Sequence, residues 1–173
     1  MRSVIKFAVL AWGALAIAAF SAPDAFAQFY KGKKIELFLA GGSKGSYNRH
    51  SRVLQKYLTK HIAGNPEIAI TPMPGAGGIK AANYLYNAAP NDGLAIGTLL
   101  KTIAINEAIG RRGVKYKTAK FGWIVSSGPV DSVLALWTAT SPAKTLDEVF
   151  KKQVILGSTG KGSATFIEPT IMN

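Results

Sequence analysis

The sequence predicts an α/β fold with mostly parallel strands, and three observations predict it. Short apolar runs alternate with stretches of helical periodicity; a glycine-rich loop separates a strand from a helix at three places; and the composition, 48% hydrophobic with 17% charged, is that of a chain with a core. Alternating strands and helices pair in parallel through right-handed crossovers. Ligands of such sheets collect at the carboxyl ends of the strands, where all three loops fall.

The elements follow in order. Ile35 to Ala40 reads as a buried strand. It runs into Gly41-Gly42-Ser43-Lys44-Gly45-Ser46 and a helix from about Tyr47 to Ile62, with Tyr47, His50, Leu54, Tyr57, Leu58 and His61 on one stripe. Gly64-Asn65-Pro66 stops that helix. The unit repeats: a short strand from Ile68 to Thr71, a loop from Pro72 to Gly78, and a second helical stripe of Ile79, Ala82, Leu85 and Tyr86. Pro90-Asn91-Asp92-Gly93 is a turn, because Asn, Asp and Gly tolerate left-handed backbone. Leu94 to Leu100 is a third strand, and a short helix near Thr102 to Ile109 follows.

Beyond Phe121 the pattern shifts. Trp123 to Ser126 and Val133 to Thr138 look like strands, and Thr145-Leu146-Asp147-Glu148 is a capping box that starts a helix. Val154 to Gly157 is read as a further strand leading into Ser158-Thr159-Gly160-Lys161-Gly162-Ser163 and another helix, still running at Asn173. Trp123 and Trp137 are expected in the core or at a lobe contact.

The 173 residues include no Cys, which excludes disulfide scaffolds, Cys-based zinc sites and thiol catalysis. Arg2 and Lys6 precede an apolar run from Phe7 to Phe20, and Ala25-Phe26-Ala27 follows as a small-x-small cleavage site. That run of 14 residues is shorter than the roughly 20 needed to span a bilayer. Residues 1–27 read as a signal peptide cleaved after Ala27, so the mature chain is expected in an exported compartment.

Without the leader, 19 basic and 8 acidic residues remain. The excess of positive charge suits anionic partners. Its distribution argues against nucleic acid, because Lys31, Lys33 and Lys34 cluster, Arg111 and Arg112 pair, and the rest are scattered without aromatic interleaving.

A glycine loop that enters a helix presents backbone N–H groups the helix cannot use, in the positive end of its dipole. One such end supplies only about 0.3 to 1 kcal/mol to an exposed anion, whereas converging loops could hold a carboxylate. Taken singly, each loop is as readily a tight turn as a ligand cradle. The nucleotide motifs fail: a Walker loop would need Gly at Ile155 and Ser or Thr at Gly162, and a dinucleotide fingerprint would need Gly at Lys80.

Acid–base chemistry is thinly represented. His50 and His61 lie eleven residues apart on one predicted helix, about 16 Å at 1.5 Å per residue, too far to share a metal. No carboxylate pair and no Ser-His-carboxylate set follows from spacing. Ser43, Ser46, Ser158 and Ser163 therefore read as hydrogen-bond donors. An exported α/β hydrolase using one of these loop serines is the runner-up to a binding protein, and a binder of polyanions is the third reading.

Seven segments in order carry a family resemblance: Ser46 to Arg52, Gly64-Asn65-Pro66, Met73 to Gly78, Ala81 to Tyr86, Ala89 to Gly93, Ser141 to Thr145 and Gly157 to Ser163. Together they resemble the Bug family, the periplasmic solute-binding components of tripartite tricarboxylate transporters. The resemblance implies a periplasmic-binding-protein-like, two-lobed fold that closes on a small carboxylated solute and delivers it to membrane permease subunits, without a cofactor. By that analogy the first-lobe contacts are Gly42, Ser43, Ser46, Tyr47, Gly75, Ala76, Gly77 and Gly78, and the second-lobe contacts are Ser158, Thr159, Gly162, Ser163 and Thr165. Related sequences commonly carry Gly-Tyr-Asp where this one has Ser46-Tyr47-Asn48, so the first pocket loop has an amide in place of a carboxylate.

Family members run to about twice this length. The expectation is a largely present first lobe over residues 28–122 and an incomplete second lobe over residues 123–173. Such a lobe would leave strand edges and apolar faces uncovered and would lower affinity for the solute.

Overall fold

A computed structural model of the chain describes residues 29–172. The expected leader, residues 1–27, and the expected cleavage after Ala27 lie outside the described residues. Strand β1 (Lys34–Leu39) leads into helix α1 (Ser46–His61), strand β2 (Glu67–Pro72), a 3-10 turn (Ala76–Gly78), helix α2 (Ile79–Asn87), strand β3 (Ala95–Thr98) and helix α3 (Ile103–Ala108). Past a second 3-10 turn (Thr118–Lys120) come the short helix α4 (Leu146–Val149) and helix α5 (Ala164–Met172). The fold is mixed α/β with a three-stranded parallel sheet.

The sheet order is β2-β1-β3. β1 pairs in parallel with both neighbours, Leu37 standing opposite Ile70 on one side and Ile96 on the other. Side chains alternate across a strand. Ile35 and Leu37 accordingly pack with Ile68 against Leu58 and Ile62 from α1 and the segment after it. Phe38 points the other way, to the Tyr84 ring of α2 at 4.8 Å. Helices thus cover both faces, as the run of apolar residues in β1 requires.

Gly97 lies on that second face. A Cβ there would overlap the end of the Leu85 side chain of α2, which packs over β3 at this position. A second cluster, of Ile79, Ala82, Ile103 and Tyr116, joins α2 to α3 and the strand-free segment that follows.

The sheet strands and their helices lie close to the expected positions, but the inward face of α1 matches the expected stripe only in part, at Leu58 and the half-buried Tyr47 and Leu54. The expected stripe included His50, Tyr57 and His61, and these are exposed. The inward positions are Asn48, Ser51, Gln55 and Leu58. Three of the four are polar, and each has a partner: Asn48 donates to the Ser43 carbonyl at 2.7 Å, Ser51 to Thr98 Oγ1 at 3.0 Å, and Gln55 to the Ile68 carbonyl at 2.6 Å. A buried polar group with a hydrogen bond avoids the penalty that would otherwise exclude it from that face.

The expected strands at Trp123 to Ser126, Val133 to Thr138 and Val154 to Gly157 do not form; these residues are irregular. A strand needs a neighbour for its N–H and C=O groups, and these runs pair with neither edge strand, β2 or β3, of the three-stranded sheet. Trp123 and Trp137 are not core residues either, at 60% and 76% exposed. Trp123 is held from one side only, by an Nε1 hydrogen bond to the Thr118 carbonyl at 3.0 Å and an edge contact with Phe121.

The capping box at Thr145 forms, with the Thr145 hydroxyl accepting from Glu148 N at 3.3 Å. The Glu148 carboxylate reaches back to Lys144 N, one residue before the cap, at 2.7 Å. Lys152 Nζ, at 2.7 Å, is the foremost of the groups that hold this carboxyl below its usual pKa.

Candidate functional site

Because the strands are parallel, their carboxyl ends share one edge of the sheet. The first loop leaves β1 there, the second leaves β2, and the approach to α3 leaves β3. Hydrogen bonds continue the pairing past the strand ends: Met73 N donates to the Leu39 carbonyl at 2.7 Å and Ala40 N to the Thr98 carbonyl at 3.0 Å. The exits of all three strands are therefore held side by side.

The first loop is ordered by its own helix. Asn48 fixes the Ser43 carbonyl, and Gly41 lies against Tyr47. Gly42, Ser43 and Ser46 are exposed, with Tyr47 half-buried. The first-turn N–H groups of α1 have no acceptor within the helix, so they point at this exposed loop.

The second loop is built from left-handed backbone. Gly75, Ala76, Gly77 and Gly78 all have positive φ, at 141°, 48°, 64° and 88°. Gly78 is buried against Leu100, and its N–H closes the turn on the Gly75 carbonyl at 3.0 Å. Ala76 holds a conformation that costs an L-residue roughly 1 to 2 kcal/mol, sustained by the glycines around it.

The third loop is folded on itself by hydroxyls. Ser163 Oγ donates to the Gly160 carbonyl at 2.7 Å and lies 2.8 Å from Thr165 Oγ1, while Thr159 N donates to Thr165 Oγ1 at 3.1 Å. Ser158 Oγ accepts from Gly160 N at 3.2 Å. Gly162 is buried, and its carbonyl accepts from Thr102 Oγ1 at 2.9 Å and Asn106 Nδ2 at 3.0 Å.

These contacts bring the second and third loops together. A Cβ on Gly77 would fall 2.5 Å from the Gly162 Cα, and one on Gly162 would fall 2.6 Å from the Ala76 carbonyl oxygen. Two backbones approach this closely only where both residues lack side chains. The first loop shares the edge, but its own bonds run to α1 rather than to the other two. Of the thirteen residues expected to contact a ligand, Gly77 and Gly162 are thus committed at least partly to packing.

The surroundings favour a negative guest. Lys44 lies in the first loop and Lys161 in the third, and the Lys80 stem lies along Gly75. A carboxylate tied to this region, Glu168 on α5, is paired with Lys101 at 2.8 Å, and that hydrogen bond is the first cause of its lowered pKa. Among the described residues no group of three or more His, Asp or Glu side chains stands where it could hold a metal ion, and His50 and His61 are exposed on α1.

Two concavities are formed by other residues, the second of them reaching Gly157 beside the third loop. One of about 440 Å³ is lined by Tyr86, Glu107, Arg111 and Tyr116 among others, and one of about 350 Å³ lies between residues 135–142 and 153–157. Of the expected site residues, neither includes one.

No family model matches the sequence, and neither a curated protein nor a solved structure matches it. No helix among the described residues is long and apolar enough to cross a membrane.

Lys101, Thr102 and Asn106 carry no motif that marks them in the sequence. Thr102 and Asn106 are buried polar residues whose partner is some sixty positions further along the chain. No local pattern marks such a pair; the only trace in the sequence is two polar residues four apart on an otherwise apolar helical turn.

Proposed function

We propose that this chain is a periplasmic solute-binding component of a tripartite tricarboxylate-type transporter. It captures a small carboxylated solute at the glycine loops and hands it to membrane permease subunits, using no cofactor and no catalytic residue. The observation that carries the reading is the contact of Gly77 with Gly162, which joins the second loop to the third on the edge where the first loop also leaves the sheet. Helix N-termini gathered on one edge supply N–H groups and partial positive charge to a carboxylate, and Lys44, Lys80 and Lys161 add full charges nearby.

The two-lobed arrangement belongs to this proposal. The whole sheet lies within the proposed first lobe, 28–122, and residues 123–173 supply the third loop. The binding reading is preferred to the hydrolase because the Ser163 hydroxyl meets a carbonyl and the Thr165 hydroxyl, neither of which takes a proton at neutral pH.

Calorimetry with citrate, beside its uncharged triamide, tests the proposal. Heat of binding is expected for citrate alone and should shrink with added salt. Equal heats for both compounds, or none for citrate, would overturn it.

A further inference from the structure

We infer that Thr102 and Asn106 are positioning residues of this mouth: their side chains clasp the Gly162 carbonyl and so hold the third loop on the second. Both are shut off from solvent, at 1% and 0% exposed. They stand four positions apart, which places them on the same face of the turn that opens α3. Each gives its donor to the same oxygen, Thr102 Oγ1 at 2.9 Å and Asn106 Nδ2 at 3.0 Å.

Geometry explains why that oxygen can be reached. Gly162 has no side chain to keep it off Ala76 and Gly77, so its carbonyl passes beside the second loop and ends between the two α3 donors. Lys101, next in the chain to Thr102, adds a second tie through Glu168 of α5 at 2.8 Å. That pair is partly solvated and contributes less than the buried bonds.

The clasp also carries an internal cost. Asn106 Oδ1 is buried and has no hydrogen-bond partner among the described residues. Turning the amide over would set oxygen against oxygen at Gly162, so the orphan is the necessary companion of the Nδ2 bond. Leaving one buried acceptor unpaired costs about as much as one or two ordinary hydrogen bonds return. The orphan therefore offsets part of what the two bonds to the Gly162 carbonyl contribute to docking of the third loop. A guest that touches both loops favours the docked position, because it binds that arrangement better.

What the clasp serves rests on the anion-binding reading; the clasp itself does not. Two substitutions in the full chain test it, Thr102→Val, which keeps the shape and removes one donor, and Asn106→Leu, which removes a donor and the orphan together. Amide hydrogen exchange is read at Ser163, whose N–H donates to the Gly160 carbonyl at 2.9 Å, with Leu37 in β1 as the internal standard.

Thr102→Val is expected to speed exchange at Ser163 about tenfold and to raise the citrate concentration for half-saturation by a similar factor, leaving Leu37 unchanged. Asn106→Leu is expected to have the smaller effect on exchange, since it also removes the unpaired acceptor. Wild-type exchange at Ser163 in both variants would overturn the clasp. If citrate moves wild type and both variants alike while exchange is unaltered, the clasp falls and the anion site stands. If wild type ignores citrate, the anion site falls and the exchange rates still decide the clasp.

Discussion

Replacing Gly77 with Ala isolates the contact on which the site is built. The added Cβ would lie 2.5 Å from both the Gly162 Cα and its carbonyl oxygen, about 1 Å inside the optimum carbon–carbon separation. Two costs combine. Holding Ala at a φ of 64° costs roughly 1 to 2 kcal/mol, and forcing the loops apart about 1 to 3 kcal/mol more. The total of about 2 to 5 kcal/mol is a large share of the roughly 5 to 15 kcal/mol that stabilises a domain.

Two other glycines separate these costs. Gly110 has nearly the same φ, 62°, and a methyl group added there would meet nothing within 4 Å, so Gly110→Ala carries the strain alone, about 1 to 2 kcal/mol. Gly42 has neither a positive φ nor a neighbour within 4 Å, and Gly42→Ala should stay within about 0.5 kcal/mol of wild type. Urea denaturation of wild type and the three variants ranks them. The expected order of loss is Gly77, then Gly110, then Gly42, with the Gly77 midpoint lower by on the order of 1 to 2 M. A Gly77→Ala protein as stable as Gly110→Ala would refute the close approach of the two loops.

Three further outcomes follow from the fold. Leu37→Ala removes a side chain 1% exposed from the middle strand and should cost about 2 to 5 kcal/mol by urea melt. The Glu107 carboxyl is held below its ordinary 4.5, first by the Thr118 hydroxyl, then by the Thr118 N–H and by Lys117. Its contribution is therefore present above pH 4.5 and lost as pH falls through the lowered value, so Glu107→Gln should flatten the acid limb of a stability-against-pH curve. Burial, with the Glu107 charge second, pushes the Tyr116 phenol up to about 12. Its contribution is present below pH 10 and lost on the way to 12; ultraviolet titration should show one late phenolate that Tyr116→Phe abolishes.

The sheet and its first two helices were legible because their signals are local. Apolar runs at Ile35, Ile68 and Leu94, punctuated by glycine, mark strands without reference to any other part of the chain. The inward face of α1 was legible only in part: periodicity marks Leu58 but also favours the exposed His50 and Tyr57, while the sheet accepts Asn48, Ser51 and Gln55 through specific hydrogen bonds.

Residues 123–157 mark the other limit. The β pattern of Trp123 to Ser126 or Val154 to Gly157 says that these residues could pair, but pairing depends on a distant edge that no local run encodes. The site divides in the same way. Its loops were visible as glycine clusters at strand ends, whereas the junction of Gly77 with Gly162, and the buried donors at Thr102 and Asn106, are meetings of residues far apart in sequence.

The measurement that bears most directly on the central claim is a citrate titration followed at the backbone amides of residues 42–47, 75–78 and 158–165. If the three loops bind one anion together, their amides shift with a single half-saturation concentration, and the amides at the start of β1, on the far edge of the sheet, stay in place. Separate half-saturation values for the three loops, or shifts confined to one of them, would contradict a shared site.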